Sequence, residues 1–139
     1  MRTVILSVTS RGLAVGLGAA MMIGETIRSW GQGRHPVYVL DDFIIGVPLV
    51  ITAVLAGKPG SRSHAALVAS FAACASMLYG SFVSKLINPT RSFDSNIPTG
   101  PLTALVGLGF AVALLGLILS LWAIPKVGPG KRGRGDGLD

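Results

Sequence analysis

LTALVGLGFAVALLGLILSLWAI, residues 102–124, runs for 23 residues without a charged side chain. As a helix it spans about 34 Å at 1.5 Å per residue, enough to cross the ~30 Å hydrocarbon core of a bilayer. A soluble helix of this length needs a charged or strongly polar face somewhere along it, and this run has none. Pro125 follows at once and marks the stop.

Three further apolar runs lie upstream. Residues 3–27 read TVILSVTSRGLAVGLGAAMMIGETI, residues 37–56 VYVLDDFIIGVPLVITAVLA, and residues 64–87 form an Ala- and Ser-rich stretch. Half of the 139 residues are hydrophobic, 13% are charged, and the mean hydropathy is +0.65. A soluble domain carries about 25% charged residues to solvate its surface. The pattern predicts an all-α integral membrane protein: a bundle of four transmembrane helices, over about 4–27, 38–56, 64–87 and 102–124, joined by short loops. Residues 1–126 form one transmembrane domain, and the basic stretch 127–139 reads as a flexible C-terminal tail.

The first run resembles a signal peptide in its basic start at Arg2, but Arg11 interrupts the apolar core and the run continues well past it. It is read as a retained helix, with Arg11 snorkelling toward the headgroups. In the second run Pro48 removes a backbone donor and predicts a bend. Residues 43–56 alone are short for a bilayer, so either the helix begins earlier and carries Asp41 and Asp42 at or below the headgroup level, or it is thin and kinked. The segment 88–101 contains Pro89, Pro98 and Pro101 and is expected to be irregular.

Four spans place both termini on one side. That side collects Arg2, Lys58, Arg62, Lys126, Lys131, Arg132 and Arg134, against Arg28, Arg34, Lys85 and Arg91 on the other. Positive charge is retained inside, so a bacterial inner membrane with both termini cytoplasmic is the expected setting. The net charge of +6 falls mostly near span ends and in the tail, without interleaved aromatics. Anionic lipid headgroups near the tail, rather than nucleic acid, are its expected partner.

Small residues recur at i,i+4 spacing: Gly12, Gly16, Ala20 and Gly24 on the first helix, Ala72, Ser76, Gly80 and Ser84 on the third. On the fourth, Gly109, Ala113, Gly116 and Ser120 share a face. Such stripes let membrane helices approach closely, within the bundle or against another subunit or a second copy.

The polar residues that carry information bracket the first connection: Glu25, Arg28, Trp30, Arg34, Asp41 and Asp42. Glu25 and Arg28 are one helical turn apart and predict an ion pair. Asp41 and Asp42, at the start of the second helix, would answer its open N–H groups, and Trp30 and Tyr38 would anchor at the interface. The cluster reads as charges satisfying one another, as a polar site for a cation, headgroup or proton, or as a contact surface for a partner protein.

No cofactor or metal site is expected. His35 and His64 fall at opposite membrane faces and cannot share a haem, and each reads as an interfacial histidine. The lone Cys74 sits in an apolar run as a small hydrophobe. No GxSxG, HExxH, Walker or dinucleotide motif appears, so no catalytic residue is expected. The favoured function is therefore a non-catalytic accessory or assembly subunit of a larger membrane complex. The alternatives are a small oligomeric transporter or channel using Glu25, Asp41 and Asp42, and a lipid-modifying membrane enzyme.

Overall fold

The computed structural model describes residues 2–30, 36–58, 61–88 and 98–124. Within them the chain forms α1 (Arg2–Ser29), α2 (Pro36–Leu55), α3 (Ser61–Ile87) and α4 (Thr99–Trp122). Each helix begins two or three residues before its expected start. Hydropathy marks the part of a helix that faces lipid, whereas hydrogen bonding extends it through polar first turns such as Ser61-Arg62-Ser63. At α4 the helix takes in Pro101, expected in an irregular segment, because a proline in the first turn forfeits only an N–H that has no helical partner.

The fold is an all-α four-helix bundle, and three helices, α1, α3 and α4, are long and apolar enough to cross a membrane. Together they make it a multi-pass membrane-helix bundle. α1 packs on α2 and α4, and α3 packs on the same two, so the helices close a ring with α1 and α3 on one diagonal. Arg11 meets Ala53 and Gly18 meets Gly46, so α1 and α2 are antiparallel. Phe71 meets Gly116 and Phe82 meets Gly107, so α3 and α4 are antiparallel too. α1 and α3 therefore run in one direction, α2 and α4 in the other.

In lipid, apolar burial between helices gains little, because the acyl chains are as apolar as leucine; close packing must hold the bundle instead. Phe71 is wholly buried, and its ring lies where a Cβ at Gly116 would be. Gly18 and Gly46 pack backbone to backbone, with no room for a Cβ on either. Leu17, Met21, Leu49, Leu67, Cys74 and Leu78 fill the space between. Cys74 Sγ lies 3.6 Å from Met21 Sδ across the centre, as the small apolar filler its setting suggests.

Of the three small-residue stripes, one is used in this packing. Ala113, Gly116 and Ser120 of α4 are buried, and Gly109 is in ordinary contact with Leu78 and Leu17. The stripes on α1 and α3 face outward: all eight of their residues are exposed, and a Cβ on Gly12, Gly16, Gly24 or Gly80 would meet nothing.

Candidate functional site

Glu25 sits near the C-terminal end of α1 and is 2% exposed, one of the largest fully buried side chains of the described residues. Three groups approach it. Arg28, one turn on, makes the expected ion pair, with Nη2 2.8 Å from Oε2. Ser29, one residue further along the same face, donates its Oγ–H to Oε1 at 2.5 Å. Across the α1–α2 interface, Asp42 lies within hydrogen-bonding reach of the Glu25 carboxyl group, with Arg28 and Asp41 in electrostatic range of it.

Two of the sequence expectations change here. Asp41 and Asp42 are the sixth and seventh residues of α2, which begins at Pro36. They lie beyond the first turn, so they cannot answer the open N–H groups of the helix start. The neighbouring aspartates also part company: a helix turns about 100° per residue, which leaves Asp41 exposed while Asp42 is half-buried toward Glu25. Trp30 is 79% exposed just past the end of α1. Arg34 and His35 lie outside the described residues, as do the side chain of Tyr38 and the basic tail.

Glu25, Asp42 and Arg28 sum to one net negative charge when both acids are ionised, which a proton or a cation would neutralise. Arg28 Nε is buried and makes no hydrogen bond among the described residues, so the cluster retains a free donor beside its acids. No group of three His, Cys, Asp or Glu side chains among the described residues is arranged to hold a metal ion.

Toward the opposite end of the bundle lies a half-buried charge, Arg11. Arg11 donates from Nε to the carbonyl of Ala53 at 2.8 Å. That carbonyl is free because the last turn of α2 tightens: Gly57 N–H bonds Val54 O at 3.2 Å, and Lys58 N–H bonds Leu55 O at 2.9 Å. A cation at the negative end of a helix dipole, on a carbonyl without a helical donor, is well placed on both counts. The guanidinium occupies the space where a Cβ at residue 57 would be, so a side chain there would displace it. This pairing joins residues 42 apart and carries no sequence signature. Ser29 did carry one, the i,i+4 spacing from Glu25.

Arg11 and Glu25 are 14 residues apart on α1, an axial distance of about 21 Å. The hydrocarbon core is ~30 Å thick, so the two charged levels cannot both lie at the headgroups of an unperturbed bilayer. Arginine has the longer reach to a headgroup by snorkelling, whereas the Glu25 carboxylate is held inward by Arg28 and Ser29. His64 is buried in the first turn of α3, and its Nδ1 has no hydrogen-bond partner among the described residues.

Compared with known protein families, with characterised proteins and with solved structures, the chain matches none.

Proposed function

We propose that the chain is a non-catalytic accessory or assembly subunit that docks other membrane helices through the outer face of α3. The observation that carries this reading is the composition of that face. From Ala65 to Ser84 its exposed residues include Ala69, Ala72, Ser76, Gly80, Ser81 and Ser84, and Tyr79 is the only large exposed hydrophobic among them. Such a surface offers acyl chains little to pack against, and its hydroxyls need partners. A partner helix supplies both close van der Waals contact and hydrogen bonds. In this reading α2 is the fourth span, the membrane is a bacterial inner membrane, and both termini are cytoplasmic on the basic side. The partner is another membrane subunit or a second copy of this chain.

The test is the native mass and composition of the tagged chain after mild extraction from its own membrane. Stoichiometric partners, lost when Ala72 and Gly80 are both replaced by leucine, are the expected result. A chain that runs alone, and whose deletion leaves every membrane complex intact, refutes the reading.

A second reading has one observation in its favour, the burial of Glu25 against Asp42. An acid inside a membrane helix is costly and marks ion or proton sites more often than chance. In an oligomer, the Glu25–Asp42 pair would carry a proton or cation along the α1–α2 interface. Glu25→Gln and Asp42→Asn should then each reduce ion flux in proteoliposomes by at least about tenfold, the loss of one charge-assisted contact worth roughly 1.4 kcal/mol. Flux equal to wild type in both variants removes transport from consideration.

A further inference from the structure

Among the described residues one end of the bundle holds both acid and base, with Arg28 and Lys85 there, and the other end holds base alone. Among the described residues, the carboxylates Glu25, Asp41 and Asp42 all lie where α1 ends and α2 begins. Arg11, Lys58 and Arg62 lie at the opposite end, where α2 gives way to α3. Arg11 pairs with no carboxylate of the described residues. Its Nε is committed to Ala53 O, and its two Nη groups make no hydrogen bond among those residues. A cation is thus fixed in position by the end of α2 with four N–H donors unspent.

Beside it, a shallow groove opens between α1 and α2. Its walls are Val8, Val15 and Val54, its floor is Gly12 and Gly16, and Arg11 stands at its end. The groove is apolar apart from the guanidinium, and a Cβ on either glycine would find open space. It lies on the lipid-facing side of α1, away from the small-residue face of α3.

We infer that this groove is a binding site for one anionic phospholipid, with the phosphate on Arg11 and an acyl chain along Gly12 and Gly16. A guanidinium binds a phosphate through two parallel N–H bonds, and its planar fork gives that contact a defined orientation. The phosphate of a bilayer lipid lies at the level where a spanning helix ends, which is where α2 ends beside Arg11. Unlike the smooth face of α3, this groove is also lined by Val8, Val15 and Val54, so methylene groups that reach the backbone at 12 and 16 have side chains to pack against. The choice of an anionic over a zwitterionic lipid follows from Lys58 and Arg62, both exposed at the same end with no described acid to offset them. This inference rests on α2 being a span, as in the reading above, but is independent of docking through α3.

The test uses the full chain in nanodiscs of phosphatidylcholine containing phosphatidylglycerol, with native mass spectrometry to count the lipids retained as the annulus is stripped. One phosphatidylglycerol per chain should persist, preferred roughly tenfold over phosphatidylcholine. Gly16→Leu fills the groove at a position with room for a side chain, and should lower that retention about tenfold with the thermal midpoint unchanged. Arg11→Gln should remove the headgroup preference, and Arg11→Lys should restore part of it, since charge returns without the bidentate fork. Equal retention of both lipids, or retention by Gly16→Leu equal to wild type, overturns the site. So does a protein helix found on this face in place of lipid. A chain that stays in the aqueous phase and never enters the nanodisc overturns the membrane setting itself, a failure distinct from any of these.

Discussion

The outer faces of α3 and α4 belong to helices of 27 and 24 residues in the same bundle, yet they are covered by different kinds of side chain. α4 turns Leu105, Leu108, Leu115, Ile118 and Leu121 outward, with Leu108 62% exposed. Between Ala65 and Ser84, α3 turns out alanine, serine and glycine, with Tyr79 the exception, and large exposed hydrophobics return only at its end, at Leu86 and Ile87. Inside the bundle the relation reverses. α4 contributes its small residues, Ala113, Gly116 and Ser120, and α3 its large ones, Leu67, Phe71 and Leu78. The two helices mesh as large into small, and what each has left over is shown to the surroundings. Branched aliphatic side chains suit acyl chains, whereas a smooth hydroxylated face suits another helix. The lesson is that a small-residue stripe says where a close approach is possible, and only its direction says whether the neighbour is already present.

The comparison is broken most severely from the inside. Gly116→Val drives a side chain into the Phe71 ring, and should destabilise the bundle by about 3 kcal/mol, read from reversible unfolding in mixed detergent micelles. The same substitution on the outward stripe, Gly80→Val, should cost about 0.5 kcal/mol or less, because its Cβ meets nothing. If the two costs are equal, α3 and α4 are not turned as described.

A smaller effect is expected from the pair Ala72→Leu and Gly80→Leu, which gives α3 the texture of α4. Recovery of co-extracted partner should fall roughly tenfold, equivalent to about 1.4 kcal/mol of association, while the unfolding midpoint holds. The smallest effect is on α4 itself. Leu108→Ala and Leu115→Ala remove side chains that meet lipid, and partner recovery should stay within about twofold of wild type. A loss there as large as on α3 would make α4 the docking face and reverse the comparison.

Much of this was legible in the linear chain. The uncharged run at 102–124 identified α4 because lipid accepts no charge, and the i,i+3 spacing of Glu25 and Arg28 announced their ion pair because that spacing is one helical turn. The depth of Glu25 was not legible, since a glutamate near a helix end is as often wet as dry. Its burial depends on α2 lying against that side of α1, which in turn depends on Gly18 and Gly46 touching. Asp41 and Asp42 looked equivalent for the same reason: their separation into exposed and inward-facing acids is a matter of helix rotation, which hydropathy does not report. Arg11 seemed a charge in the wrong place until the carbonyl of Ala53, far off in sequence, supplied its reason.

The sequence by itself determined that there are four helices, that at least three have the length and polarity of membrane spans, and that the acids within the helices collect at one end. Each of these is a property of composition along one dimension, and the solvent selects for it directly. The tertiary structure decided which side of each helix looks inward: that α4 turns its small-residue stripe into the bundle while α1 and α3 turn theirs outward, and that Glu25 meets Asp42 while Arg11 caps α2. Rotation about a helix axis costs almost nothing until a neighbour arrives, because lipid is indifferent to which apolar face it touches. The contacts at Gly116 and Phe71, and at Gly18 and Gly46, supply that neighbour and so choose the rotation.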